Sequence, residues 1–167
     1  AYVEGDGPEV AGTRGLDFTG CTLGSGLLLS SCDIPDCIHL AGAKADSISF
    51  NGSHLAGGIW ADQLEARSLF LRGAKVLEGL RLGAAKLGGD LDCGNGTFCA
   101  WKDANVRLGA AIFADGVDIG RSFILPAEAA GEIRLIDARL GGSLSCVGGT
   151  FGAEEGAEWQ VAPAISA

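Results

Sequence analysis

The chain has 167 residues, 47% of them apolar, with 28 glycines, six cysteines and a formal net charge of −9 at pH 7. That is the length of one domain, with enough apolar residues for a core despite a glycine content often met in disordered chains. No apolar run approaches the roughly 20 residues needed to cross a membrane, no signal peptide is visible, and an acidic chain is a poor candidate for nucleic-acid binding over its whole surface.

Residues 1–15 fit no repeat and are expected to start or cover a first coil, because an open solenoid end exposes strand edges and core. From Leu16 onward a short unit recurs, with starts at Leu16, Leu27, Ile38, Ile48, Ile59, Leu69, Leu80, Leu91, Trp101, Ile112, Phe123, Ile133 and Leu144, each step being 10 or 11. Two copies read Leu69-Phe70-Leu71-Arg72-Gly73-Ala74-Lys75-Val76 and Leu80-Arg81-Leu82-Gly83-Ala84-Ala85-Lys86-Leu87. A unit this short cannot bury its apolar residues alone, so copies must stack.

Within a unit, positions 1, 3, 6 and 8 are apolar or small, and positions 2, 4 and 7 are often polar. Residues two apart share one face of a strand. Each unit is therefore two short strands, L-x-L and A-x-L, with a corner between them, often at a glycine in position 5. Apolar spacing of two and frequent glycine do not suit a helix. Two units make one four-sided coil, 21 or 22 long, and the next coil stacks about 4.8 Å away. The expected fold is all-β: a parallel β-helix of about six coils over residues 16–151.

Residues 99–111 are the least regular, with Trp101 where an aliphatic start belongs; Cys99 to Asp103 are expected to bulge. Pro126 to Glu132 places a proline and two acids at a corner, so a protruding loop is expected there. Residues 152–167 leave the repeat as a cap or tail, in which Trp159 and Val161 would cover the last coil.

Of the cysteines, Cys21 and Cys32 take position 6, and Cys93 and Cys146 take position 3, so most are expected to be buried small hydrophobes. No two of Cys21, Cys32, Cys37, Cys93, Cys99 and Cys146 are one coil apart. This favours a reducing, cytoplasmic setting over a disulfide framework. His39 and His54 have no metal-ligand spacing to a cysteine, and no metal is expected.

On these residues the chain resembles the pentapeptide-repeat proteins, and more closely a bacterial repeat group with the pattern L-x-L-x-G-A-x-L-G-G-x-L-D-C-x-x-G-x-F. Leu80 to Phe98 follows that pattern with Ala84 for its first glycine, and Ile133 to Phe151 repeats it. The resemblance implies a right-handed, four-sided β-helix. Members of the group are sometimes labelled oxidoreductases, but no dinucleotide fingerprint or phosphate loop is present. Some pentapeptide-repeat proteins mimic DNA with an acidic rod and bind type II topoisomerases.

Stacking turns sequence spacing into columns of side chains. Second positions of alternate units give Asp17, His39, Trp60, Arg81, Lys102, Ile124 and Ser145, and the seventh positions give Lys44, Glu65, Lys86 and Arg107. His39, Trp60, Arg81 and Lys102, with Lys86 and Arg107, are the candidate binding residues: a mainly basic face for an acidic partner or anion, with Trp60 as anchor. Ordinary solvated charge is the competing reading. The opposite face reads Leu28, Ser49, Phe70, Asp92, Phe113 and Arg134; Leu28, Phe70 and Phe113 are a candidate contact face.

Asp90 and Asp92 are the nearest approach to a catalytic carboxylate pair, and nothing sets a base against a nucleophile. No catalytic residue and no cofactor are expected. Residues 1–65 carry a net charge of −7, residues 66–153 carry +1, and Glu154, Glu155 and Glu158 add −3. The expectation is a non-enzymatic scaffold that meets a protein partner or another copy of itself, without direct nucleic-acid or membrane contact. A topoisomerase-directed DNA mimic and an end-to-end polymerising structural protein are the alternatives.

Overall fold

A computed structural model of the chain describes residues 15–101, 109–152 and the backbone of 165–166. Within them are 23 short strands and no helix. All strand pairs are parallel. The step between partners is 21 or 22 over most of the chain, as in Ile38↔Ile59 and Gly15↔Cys37. The result is a β-solenoid of about six coils, with sheets of seven, six and ten strands. The ten-stranded sheet carries two columns of pairs, because Lys44–Ser49 and Glu65–Phe70 are long enough to serve both.

The inward positions follow the period read from the sequence. Leu69, Leu71, Ala74 and Val76, then Leu80, Leu82 and Ala85, then Leu91 and Cys93, are all fully buried. Full burial of a large aliphatic side chain contributes about 1.5–3 kcal/mol, and the stack repeats it at every coil. Ser53 sits at a position 6 with only 1% exposure. Its hydroxyl donates to the Leu29 carbonyl at 2.6 Å and accepts from the Cys32 N–H at 3.0 Å, so its burial leaves no polar atom unpaired.

The corner at position 5 has a fixed backbone. Gly20, Gly42, Gly52, Gly73, Gly116 and Gly148 have φ between 64° and 72°, and Ser31, Gln63, Ala84, Asn95 and Asp137 adopt φ of 53° to 58° at the equivalent place. Each lies third in a four-residue turn such as Leu40 to Ala43, where the Ala43 N–H donates to the Leu40 carbonyl at 3.0 Å. Positive φ at that place is a type II feature, which glycine meets without strain.

Three expectations change. First, Trp101 does not open a stacked unit. Leu80 pairs with Ile112, a step of 32 instead of 21 or 22, and the regular step returns with Ile112↔Ile133. Regular spacing hid this, but a unit starting at Trp101 would turn Asp103 into the core, at a high desolvation cost. Second, Pro126 to Glu132 is not a protruding loop. Glu128–Ala130 is a strand paired with Thr97–Cys99 and Thr150–Gly152. The corner between Leu125 and Glu128 contains no positive-φ residue and is one residue shorter, so Ala129 rather than Glu128 turns inward. Third, of the cysteines only Cys93 is buried. Cys21 and Cys146 are exposed and belong to the first and last described coils, where an inward position is covered from one side only. Cys21, Cys32, Cys37, Cys93 and Cys146 are free thiols. Of the expected caps at 1–15 and 152–167, residues 1–14, 153–164 and 167 lie outside the described residues, and Ile165–Ser166 is a strand paired with Glu132–Arg134.

No helix among the described residues is long and apolar enough to cross a membrane.

Candidate functional site: a stacked aromatic and arginine column

The seven-stranded sheet carries one outward column: Asp17, His39, Trp60, Arg81, Phe113 and Arg134, each paired with the next. Coil-to-coil hydrogen bonds hold its backbone, with Leu40 N–H to Trp60 O at 2.8 Å, Ala61 to Arg81 at 2.8 Å, Leu82 to Phe113 at 2.7 Å and Ala114 to Arg134 at 2.9 Å. These side chains are therefore stacked by the sheet itself.

Their contacts alternate ring and cation. The His39 and Trp60 ring centroids are 6.2 Å apart. The Arg81 guanidinium lies over Trp60 at 5.0 Å and over Phe113 at 5.3 Å, and Arg134 lies over Phe113 at 5.5 Å. Trp101 forms a third wall around Arg81, 5.7 Å away. Its indole fits where Gly79 and Gly109 lack side chains: a Cβ on Gly109 would collide with the ring. A cation over a ring is worth about 0.5–1 kcal/mol when exposed and more when desolvated.

Each arginine is also tied to a carboxylate one coil below. Asp62 Oδ2 accepts from Arg81 Nε at 3.2 Å and lies 3.0 Å from Nη2, while its Oδ1 accepts from the Gly83 N–H at 2.8 Å. Asp115 repeats the arrangement, accepting from Arg134 Nε at 2.8 Å and from the Ile136 N–H at 3.2 Å. Among the described residues the column thus pairs its arginines within itself.

The candidate residues divide accordingly. His39, Trp60 and Arg81 are brought together. Lys102 and Arg107 lie outside the described residues. Lys86 stands in another column, Lys44, Glu65, Lys86, Asp118 and Arg139, in which charge alternates; Lys44 and Glu65 pair at 3.1 Å. That face is a chain of opposite charges rather than a basic one.

Leu28 and Phe70 do share an outward column, but Ser49 lies between them and Asp92 follows, and Phe113 belongs to the column of Arg81. The expected contact face therefore loses Phe113 and keeps Leu28, 77% exposed, and Phe70, half-buried, with Ser49 and Asp92 in the expected order. The shift of Phe113 and Arg134 from one face to the other follows from the Trp101 step. Counting Trp101 as a unit moves every later outward residue by half a coil.

Asp90 and Asp92 have separate hydrogen-bond partners. Asp92 accepts from Arg72 Nη2 at 2.8 Å and from the Gly94 N–H at 2.9 Å. Asp90 accepts from the Ser122 N–H at 3.0 Å. Next to Trp60, burial and then the charges of Glu78 and Asp36 push the Cys37 thiol above its ordinary range. Among the described residues no three His, Cys, Asp or Glu side chains are grouped to hold a metal.

Asp62, Asp115, Trp101 and Arg134 are the site residues that sequence reasoning missed. A signal existed: Trp60-Ala61-Asp62 and Arg81-Leu82-Gly83 return as Phe113-Ala114-Asp115 and Arg134-Leu135-Ile136, each at the same offset. Compared with models of protein families, with curated proteins and with solved structures, the chain matches none.

Proposed function

We propose that this chain is a non-enzymatic scaffold whose seven-stranded sheet presents the His39–Trp60–Arg81–Phe113–Arg134 column to a protein. The observation that carries the reading is the threefold enclosure of Arg81 by Trp60, Phe113 and Trp101. Tryptophan and arginine are enriched where binding energy concentrates, and here both are pre-positioned by stacking, which lowers the ordering cost of association. Trp60 remains 38% exposed, so the column is open to a partner. The test is capture by wild type, by Trp60→Ala and by Phe70→Ser, which alters a different face. A partner retained by Phe70→Ser and lost by Trp60→Ala supports the reading; equal capture by all three overturns it.

We further infer that the coil is four-sided and of the pentapeptide-repeat type. Four columns of parallel pairs per coil support this. The free thiols support a reducing compartment such as the cytoplasm. A DNA-mimicking rod has less support, since Asp62, Asp92 and Asp115 are each engaged by an arginine and a backbone N–H. A supercoiling assay without inhibition of a type II topoisomerase sets it aside.

End-to-end assembly has one observation in its favour: inward Leu16 and Leu144, in the first and last described coils, are 37% and 39% exposed. Scattering that rises without limit as concentration grows would support this second reading, and a plateau would remove it.

A further inference from the structure

We propose that the partner of this face is a second copy of the chain, docked antiparallel about a two-fold axis that lies across the face between Arg81 and Phe113. The inference rests on the scaffold reading above and names its partner.

The argument is one of self-complementarity. A two-fold interface uses the same patch on both copies, so the patch must match itself. Along the column, coils bearing a ring and an acid alternate with coils bearing an arginine: Trp60 with Asp62, then Arg81, then Phe113 with Asp115, then Arg134. A two-fold axis along the strands, midway between Arg81 and Phe113, reverses this order. It sets Arg81 against Phe113 and Asp115 of the other copy, and Arg134 against Trp60 and Asp62. All four rungs then meet an opposite.

The alternatives match less well. A two-fold axis along the solenoid keeps the rungs level and sets Arg81 against Arg81, a like-charge contact that disfavours pairing. Moving the crosswise axis one rung toward Trp60 sets His39, in place of an arginine, against Phe113 and Asp115, and moving it one rung the other way leaves Trp60 and Asp62 with no arginine opposite.

The side chains have capacity for the second contact. Each guanidinium offers five N–H groups, and one carboxylate engages each arginine within the chain. Arg81 and Asp62 keep side-chain exposures of 31% and 33%, and Arg134 keeps 40%. Four rungs at about 4.8 Å span a short strip, well below the usual area of a permanent interface. The dimer is therefore weak and in rapid exchange.

The test is sedimentation equilibrium of the full chain over a concentration series, with Trp60→Lys and Arg134→Glu. Wild type is expected to show a reversible monomer–dimer equilibrium. Trp60→Lys sets its new ammonium against Arg134 of the other copy, and Arg134→Glu sets its new carboxylate against Asp62. Each variant alone is therefore expected to dimerise at least tenfold more weakly. Mixed in equal amounts, the two variants bring the new ammonium against the new carboxylate at one contact and keep the native pair at the other, and dimer is expected to return. Circular dichroism checks that both variants fold; if either does not, Trp60→Ala, which removes only the ring, must still weaken the dimer.

Wild type that stays monomeric at several hundred micromolar overturns the proposal, as does a failure of mixing to restore the dimer, or growth into rods. A monomeric wild type that still captures a protein through Trp60 would overturn self-pairing while leaving the scaffold reading intact.

Discussion

The Arg81 guanidinium lies 5.0 Å from the centroid of the Trp60 ring while its Nη2 sits 3.0 Å from Asp62, so one side chain links two coils through a ring and a carboxylate together. Arg81→Ala removes both links and leaves Asp62 with its backbone partner alone. The expected loss is about 1–2 kcal/mol, kept modest by solvent at the column's outer edge. A double-mutant cycle of Trp60→Ala with Arg81→Ala should give a coupling of about 0.5–1 kcal/mol by chemical denaturation. Additive effects would mean that the stacking carries no energy.

Ala84 adopts φ of 53° at a corner where six equivalent corners hold glycine with φ of 64° to 72°. Ala84→Gly relieves that strain at an exposed site. It is expected to stabilise the chain by about 1 kcal/mol, after allowing for the greater freedom of glycine when unfolded. Gly73→Ala, at a corner with open space around the missing Cβ, is expected to lose a similar amount. Thermal melts of both variants check the pair, and shifts of the same sign would contradict the corner argument.

Leu80 and Leu144 hold the same position in their units but differ in burial, at 0% and 39% exposure. Leu80→Ala opens a cavity between coils and is expected to cost about 2–5 kcal/mol. Leu144→Ala is expected to cost less than about 1.5 kcal/mol, since much of that side chain is already in water. Equal losses would indicate that the last coil is covered in solution.

Burial, with the Asp92 charge beside it, holds the Cys93 thiol well above its ordinary range. Its folded-state pKa is raised, so its share of stability is fully present below the unfolded value and is lost as pH climbs through the folded one. Stability should therefore fall above about pH 9, where an unfolded cysteine ionises and the folded one does not. Cys93→Ala is expected to flatten part of that alkaline decline. Denaturation midpoints at pH 7 and pH 10 provide the comparison. An identical decline in the variant would assign it to other groups.

The inward residues are legible in the sequence because a period of two, interrupted by corners, leaves no other way to bury Leu80, Leu82, Ala85 and Leu87 together. The corners are legible as glycine, and Ala84 and Asp137 show that the turn imposes its backbone on other residues as well. Phe113 falls on the wrong face in the sequence reading because outward position depends on counting units, and one miscounted unit at Trp101 moves everything after it. The tasks of Asp62 and Asp115 are not legible from local sequence. Each carboxylate works on an N–H in the next coil, at |i−j| of 21, so its role appears only when the register is known.

Leu80 meets Ile112 across a step of 32 as squarely as Ile59 meets Leu80 across a step of 21. The pairing of adjacent coils is set by their strands and not by the number of residues that joins them. Lengthening the connecting path is cheap, since doubling a flexible connection costs only about 0.6 kcal/mol of closure entropy. Contour length and stack height are therefore independent quantities here. Connections of different length can thus join coils whose strands keep the same pairing.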